Sequence, residues 1–285
     1  MKYGVIDIGS NSVRLLISED GNVIKKTINT TRLAENLKDG FLSEKPSLRT
    51  LNAVLAFVDE AKNEGIDDVF IFATAAVRNA INGKDFALAV EKACGIKVDI
   101  VSGEIEAILG GKGALRGKDG AVLDIGGGST EMVVFKGGKC VYAESLPFGA
   151  VVLTGKFGQD VSAIRRFVKG SVRSFAAVPK TEFYCIGGTC TSLAAISQKL
   201  AVYDAKKVDG YKLTKEEISR LAGEISELSV EDRKTLSGLQ KERADIIHAG
   251  AIILDEVVNF VGAEYFTVSE SDNLEGYLRY ITEHK

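Results

Sequence analysis

The sequence predicts an α/β protein made of two similar domains that face each other across a cleft. At 285 residues the chain has the length of two ordinary domains rather than of one small core. A strand, a glycine-rich turn and a second strand occur near the N-terminus and again about half the chain length later. The remaining segments alternate between helical and strand patterns, which favours sheets covered by helices.

The duplicated unit is a β-hairpin with a polar tip. Its first copy runs from the apolar strand 3–8 through the turn 9–12 to a second strand, and its second copy occupies residues 121–135. The copies share an aspartate at the end of the first strand, a glycine two residues later and a serine five residues later: Asp7, Gly9 and Ser12, then Asp124, Gly126 and Ser129. This repetition predicts two equivalent hairpins, one from each domain, on opposite sides of the cleft.

Apolar periodicity predicts the other elements. Helices are expected at 48–61, 86–94, 160–176, 189–199, 214–227 and 241–261, and strands at 69–74, 98–101, 182–187 and 264–269. The domain boundary is expected near residues 113–120, which gives domains of 1–115 and 116–285 and lets the last helix pack back on the first domain.

Composition excludes several classes of protein. The chain is 45% hydrophobic and 26% charged, which is typical of a globular protein. The formal net charge of −3 predicts no general attraction to nucleic acid or to a membrane surface. No apolar run reaches the roughly 18 residues that a membrane span needs, and Asp7 interrupts any signal peptide, so we expect a cytoplasmic protein. The four cysteines match no zinc or redox signature and are interpreted as reduced core thiols.

Both hairpin tips have the composition of phosphate-binding loops. Glycines allow close approach of backbone N–H groups to a ligand, and hydroxyl groups add further donors. The predicted phosphate-binding residues of the tips are Gly9, Ser10, Asn11, Ser12, Gly126, Gly127, Gly128, Ser129 and Thr130. Tight hairpins that only satisfy turn geometry are the alternative. Arg14 alternates onto one strand face, where burial, solvent or a phosphate are all compatible with the pattern.

A third glycine turn separates a predicted strand from a predicted helix. Gly187, Gly188 and Thr189 lie at the helix start, where backbone N–H groups and the helix dipole favour an anion such as a nucleotide or substrate phosphate. The alternative is an ordinary β-to-α turn capped by Thr189.

Three carboxylates flank the repeated turns. Asp124 and Glu131 precede and follow the second turn, and Asp7 precedes the first. Carboxylates beside an anionic substrate repel it unless a divalent cation intervenes, and hard oxygen ligands next to phosphates favour Mg²⁺. We therefore predict Mg²⁺ as the cofactor, with plain turn residues as the alternative for both aspartates.

Five segments resemble the exopolyphosphatase and guanosine pentaphosphate phosphatase family. They are YGVIDIGSNSVRLLI, ATAAVRNA, VSGEIEA, LDIGGGSTEMVVF and IGGTCTSLAAI, in this order. The resemblance implies the actin-like fold shared with sugar kinases and heat-shock chaperones, which is related to ribonuclease H, in a short two-domain form. The chain departs from the family pattern at Ala34 and in the segment 269–276, which lacks a glycine pair and an arginine.

The resemblance also implies a chemistry. Glu106 is similar to the family's catalytic glutamate and would be the general base, while Glu104 would point to another face of the helix; Arg78 is similar to the family's phosphate-binding arginine. A solvated glutamate and a surface ion pair are the respective alternatives. The implied activity is release of terminal orthophosphate from polyphosphate, or removal of the 5′-phosphate of pppGpp. A small-molecule kinase or a nucleotide-binding regulator of the same fold are the rivals, and a homodimer is compatible with the resemblance.

A basic stripe is a further candidate for binding a long polyanion. Arg165, Lys169 and Arg173 recur at i, i+4 and i+8 on the predicted helix 160–176. The stripe fits either a track for polyphosphate or an ordinary solvated helix face.

Overall fold

The first domain is built on a five-stranded mixed sheet. In the computed structural model, which describes residues 1–35, 37, 40–66, 68–176 and 178–283, the strand order is β3-β2-β1-β4-β5. The strands are β1 (Lys2–Ile8), β2 (Val13–Glu19), β3 (Asn22–Asn29), β4 (Asp68–Ala73) and β5 (Val98–Ile100). The β1, β2 and β3 strands are antiparallel, whereas β4 and β5 continue the sheet in parallel to β1.

The second sheet repeats this topology and adds one strand. Its order is β10-β11-β9-β6-β7-β8. The strands are β6 (Gly120–Ile125), β7 (Thr130–Lys136), β8 (Lys139–Leu146), β9 (Phe183–Ile186), β10 (Lys212–Thr214) and β11 (Tyr265–Val268). Read from β8, the order β8-β7-β6-β9-β11 reproduces the first sheet, and β10 is an antiparallel addition at the edge. The predicted architecture of two similar mixed-sheet α/β domains is confirmed.

Helices cover both sheets. They are α1 (Glu44–Asn63), α2 (Ala75–Asn79), α3 (Gly83–Cys94), α4 (Gly103–Leu115), α5 (Ala150–Phe157), α6 (Val161–Ser171), α7 (Gly187–Ser197), α8 (Ala205–Val208), α9 (Lys215–Glu227), α10 (Val230–Arg233), α11 (Ile247–Val261) and α12 (Asn273–Glu283). Short 3₁₀ helices lie at Val172–Phe175 and Lys241–Arg243. Apolar periodicity predicted helices at the positions of α1, α3, α6, α7, α9 and α11, whose apolar residues pack into the cores, whereas α4 and α12 lie outside the predicted ranges.

The continuous helix predicted over 241–261 is wrong at its N-terminal end. A 3₁₀ turn occupies Lys241–Arg243, and α11 begins only at Ile247. Tertiary contacts explain the break: Asp245 forms an ion pair at 2.9 Å with Arg32 of the first domain, and Arg243 turns its guanidinium towards the glycine turn at Gly188. The break therefore places an arginine in the cleft.

Two helices lie between the sheets. The α4 helix packs on β6, β7 and β8, and α12 packs on both α4 and β1. Glycines allow this close contact, because a Cβ atom on Gly113 would lie 1.9 Å from the carbonyl oxygen of Asp272 and one on Gly276 would lie 1.8 Å from that of Leu109. The start of α12 is consequently held at the bottom of the cleft.

The sequence predicted that the cysteines are buried in the core and that no segment spans a membrane. Cys185 and Cys190 are buried, but Cys140 is exposed, so the core-thiol interpretation is wrong for Cys140, which lies on the edge strand β8. Throughout the described ranges, every helix is too short or too polar to cross a membrane.

Candidate functional site

A cleft of about 450 Å³ lies between the two domains. Its walls are the tips of both repeated hairpins, the turn between β9 and α7, and the starts of α4 and α12. These elements come from positions far apart in the chain and meet because the two sheets have the same topology and face each other.

The two hairpin tips are built alike. The Gly9 N–H donates to the Ser12 carbonyl at 3.0 Å, and the Gly126 N–H donates to the Ser129 carbonyl at 3.1 Å. The tips also touch, since a Cβ atom on Gly128 would lie 2.4 Å from the Ser10 hydroxyl oxygen. Two equivalent turns thus form one continuous lining of N–H and hydroxyl groups.

Most of the predicted phosphate-binding residues line this cleft. They are Gly9, Ser10, Asn11, Ser12, Arg14, Gly126, Gly127, Gly128 and Ser129, together with Gly187, Gly188 and Thr189 of the third turn. Thr130 does not line it: its side chain is fully buried and its hydroxyl donates to the Phe148 carbonyl at 2.7 Å. The Thr130 hydroxyl is therefore used within the fold. The idea that Thr189 caps a helix is wrong, because α7 already begins at Gly187.

Glu106 faces the cleft from the first turns of α4. Ser102 caps this helix by accepting the Ile105 N–H at 3.2 Å, which fixes the orientation of its start. The Glu106 carboxylate is only 6% exposed, and burial raises its pKa to about 7 although the charge of Arg78 opposes the shift. Glu104 is exposed, as the different helix face predicts.

Arg78 lies behind Glu106 rather than on the cleft wall. It donates to the Glu106 carboxylate at 2.6 Å and to the Val101 carbonyl at 3.0 Å. It lines a second groove of about 410 Å³ together with Glu104, Glu144 and Ser145. Direct phosphate contact is thus not the role that this placement favours, because Arg78 does not line the cleft.

Asp7 and Arg14 lie opposite each other in the first hairpin and form an ion pair. The Arg14 Nε and Nη2 groups donate to Asp7 Oδ2 at 3.0 and 2.5 Å, and Nη1 donates to Asp272. Burial raises the pKa of Asp7 although Arg14 opposes the shift. The two carboxylates raise the pKa of Arg14 against the effect of its burial, so it remains charged.

Asp124 is the equivalent aspartate of the second hairpin. It accepts a hydrogen bond at 2.9 Å from the side-chain amide of Asn273. Burial, followed by the negative charge of Asp272, raises its pKa to about 6. Two adjacent residues at the start of α12 thus reach the two hairpins: Asp272 accepts from Arg14, the partner of Asp7, and Asn273 donates to Asp124.

Glu131 lies opposite Asp124 in the β6–β7 register and is 1% exposed. It accepts a hydrogen bond at 2.7 Å from Ser145 and does not line the open cleft. Burial and the negative charges of Glu106 and Asp124 raise its pKa well above the usual range. Three carboxylates are thus near enough to repel one another.

The donor set fits a hard divalent cation. No described group donates to Asp7 Oδ1 or Glu131 Oε2, although both atoms are buried, and a buried acceptor without a partner is costly. Over the ranges that the structure describes, His, Cys, Asp and Glu side chains form no ready-made cage of three ligands. Mg²⁺ does not need one, because it commonly binds one or two carboxylates and completes its shell with water and substrate phosphate.

Sequence reasoning missed many residues of the cleft, of which three contribute polar contacts or charge to its wall. Asp272 and Asn273 begin α12, and Arg243 lies over Gly188 without an ion-pair partner among the described residues. Asp272 and Asn273 fall in the segment 269–276. Its departure from the family pattern was the one feature of the sequence that could have drawn attention to them. Arg243 gave no signal, because it lay within a predicted buried helix.

Comparisons with known proteins agree on one family. A model of the Ppx/GppA phosphatase family matches residues 15–282. The chain is 32% identical to a bifunctional 3-dehydroquinate synthase/phosphatase of Fusobacterium nucleatum, over 98% of this chain and 46% of that protein. It is 27% identical to exopolyphosphatase 2 of Mycobacterium tuberculosis, over 96% of this chain and 97% of that protein.

A third relative has a different named substrate. The chain is 28% identical to a guanosine-5′-triphosphate,3′-diphosphate pyrophosphatase of Aeromonas salmonicida, over 97% of this chain. The chain spans 58% of that relative, and only about half of the Fusobacterium protein.

Solved structures have the same fold over the whole chain. A crystal structure of the Ppx/GppA family member of Aquifex aeolicus matches with a TM-score of 0.83 and 29% identity, covering 100% of this chain and 99% of that one. An exopolyphosphatase of Cytophaga hutchinsonii matches with a TM-score of 0.90 at 22% identity, covering 100% of this chain and 98% of that one, which shows the shared fold.

Proposed function

The chain belongs to the Ppx/GppA phosphatase family, and we propose that it releases the terminal orthophosphate of inorganic polyphosphate by attack of a water molecule. The reaction requires an oriented water, a proton acceptor and groups that offset charge on the phosphoryl oxygens. In the cleft of about 450 Å³, Glu106 would be the proton acceptor, and the N–H and hydroxyl groups of the hairpin tips would offset the phosphoryl charge.

The observation that carries the proposal is the buried position of Glu106 in the cleft wall. Its carboxylate is buried beside the touching hairpin tips, and its pKa of about 7 lies near physiological pH. A general base works best when its pKa is close to the working pH, and such a base contributes about 10² to 10⁴ in rate. Glu106 would accept the proton of the attacking water.

The hairpin tips would bind the phosphates. Ser10 and Ser129 provide hydroxyl donors, and the side-chain amide nitrogen of Asn11 is buried without a described acceptor. Arg243 would add a positive charge at the end of the cleft near Gly188. The site would thus bind successive phosphates between the two domains.

Asp7, Asp124 and Glu131 would hold Mg²⁺. When bound, the ion would offset the negative charge of the phosphate oxygens. The buried acceptor oxygens of Asp7 and Glu131 support this assignment. The chain's own residues would orient the phosphate and accept the proton.

A guanosine polyphosphate such as pppGpp is the second candidate substrate. The cleft lining also includes the uncharged side chains of Tyr203, Ala205, Gln240 and Ile246, which would suit a nucleoside. Arg165 of the basic stripe pairs with Asp255 at 2.5 Å and Glu256 at 2.7 Å, so its charge is already compensated.

Phosphate release tests the proposal. We would compare long polyphosphate, tripolyphosphate, pppGpp and ATP, with Mg²⁺ or with EDTA, using the natural protein, Glu106→Gln and the exposed neighbour Glu104→Gln. We expect Mg²⁺-dependent release that Glu106→Gln reduces by about 10² or more and Glu104→Gln leaves intact. ADP formation that requires a second acceptor substrate would indicate a kinase, and stoichiometric nucleotide binding without release would indicate a regulator.

A further inference from the structure

The Asp272 carboxylate, at the start of α12, accepts hydrogen bonds from two different residues. Its Oδ1 atom accepts the Leu274 N–H at 3.0 Å, and its Oδ2 atom accepts a hydrogen bond from Arg14. The first contact caps the helix, as aspartate commonly does. The second contact crosses from α12 to the phosphate-binding hairpin of the first domain.

Arg14 has both edges of its guanidinium engaged by carboxylates. Asp7 accepts from Nε and Nη2, and Asp272 accepts from Nη1. One positive charge thus faces two negative charges on the wall of a cleft that must admit a polyanion. Asp7 alone would balance the charge of Arg14, so Asp272 adds one negative charge to this part of the wall, where Lys26 also lies.

Asp272 is held firmly in place. Its N–H donates to Glu275 Oε2 at 3.0 Å, and its backbone packs directly on Gly113 of α4. Burial alone would raise the pKa of Asp272, but the charges of Arg14 and Lys26 lower it, so the residue remains an anion. The longer and partly exposed Arg14 side chain is the partner that can move.

We propose that Asp272 competes with substrate phosphate for Arg14 and thereby limits the affinity of the cleft for phosphate. The inference rests on the proposed function, because it assigns the phosphate end of the same site. When phosphate enters, Arg14 would exchange its Nη1 contact with Asp272 for a phosphate oxygen. Asp272 is thus an affinity determinant and not a participant in the reaction.

Three variants separate this role from helix capping. Asp272→Asn keeps the size and the capping oxygen but removes the charge, and Asp272→Ser keeps a cap but is too short to reach Arg14. Asp85→Asn is the charge-matched control, because Asp85 is exposed on α3 outside the cleft. Thermal unfolding of each variant would establish that the fold is retained.

The test is direct binding of imidodiphosphate, whose P–N–P bridge resists hydrolysis, measured by calorimetry with and without Mg²⁺. We expect Asp272→Asn and Asp272→Ser to bind it at least about fivefold more tightly than the natural protein, and Asp85→Asn to bind it equally. Equal or weaker binding by folded Asp272→Asn and Asp272→Ser would overturn the inference, as would absence of binding in every protein. Since binding needs no turnover, the proposed activity is judged separately by phosphate release.

Discussion

Arg14 and Glu131 occupy equivalent positions in the two repeated hairpins. Arg14 lies opposite Asp7 across β1 and β2, and Glu131 lies opposite Asp124 across β6 and β7. One hairpin therefore neutralises its aspartate with an arginine, whereas the other places a second acid beside its aspartate. The repeated backbone thus carries two different electrostatic environments, of which the second favours a cation.

Glu131→Gln tests whether the second hairpin holds Mg²⁺. We expect the Mg²⁺ concentration for half-maximal phosphate release to rise by about 10- to 100-fold, because the variant removes a charged oxygen ligand while it keeps the shape. The measurement is phosphate release against Mg²⁺ concentration, with Glu104→Gln as the control. An unchanged Mg²⁺ requirement in a folded Glu131→Gln protein would remove Glu131 from the metal site.

Arg78→Gln should shift the pH dependence of the reaction. Arg78 lowers the pKa of Glu106 by its charge and by a hydrogen bond of 2.6 Å, although burial still raises that pKa to about 7. Without Arg78 the pKa of Glu106 rises further, so a higher pH is needed to ionise the base. We expect the acid limb of kcat/KM to move to higher pH, and Arg78→Lys to move it less. An unchanged acid limb would mean that the ionisation of a group other than Glu106 determines it.

Glu106 should destabilise the metal-free fold at high pH. The pKa of a glutamate in an unfolded chain is about 4.5, and that of Glu106 in the folded protein is about 7, so its contribution to stability is present below pH 4.5 and is lost as the pH rises to about 7. The free energy of unfolding of Glu106→Gln, relative to that of the natural protein, should therefore rise by about 1–3 kcal/mol between pH 4.5 and pH 8. Urea unfolding at both pH values measures it, and a pH-independent difference would contradict the shifted pKa.

Gly128→Ala should separate the touching hairpin tips. The new Cβ atom would lie 2.4 Å from the Ser10 hydroxyl oxygen and 2.9 Å from the Ala75 Cβ atom, so the tips must shift. We expect release to fall by about tenfold or more, since small displacements of positioning groups are costly. Gly170→Ala is the control, because it meets no atom within 4 Å on α6 and should leave activity intact. Full activity of Gly128→Ala would show that the tip contact is unimportant.

Local sequence patterns predicted an element correctly where the residues of that element alone determine its structure. The nearly continuous apolar runs of β1, β2, β6 and β7 and the polar tips between them predicted both hairpins, because strands that are buried on both faces are apolar along most of their length. The strand β3 was not predicted, since seven of its eight residues are exposed and no alternation marks it. Arg243 was hidden for the opposite reason, because its neighbours read as part of one long buried helix.

The sequence by itself determined the duplicated hairpins, the α/β class and the glycine-rich turns of both hairpins, because these depend on short-range periodicity and on the backbone freedom of glycine. Only the tertiary structure decided which charges meet in the cleft. Asp272 reaches Arg14 and Asn273 reaches Asp124 because α12 packs on α4 through glycine contacts. Partners more than 100 residues apart along the chain are set by how helices and sheets pack, and no local pattern records that packing.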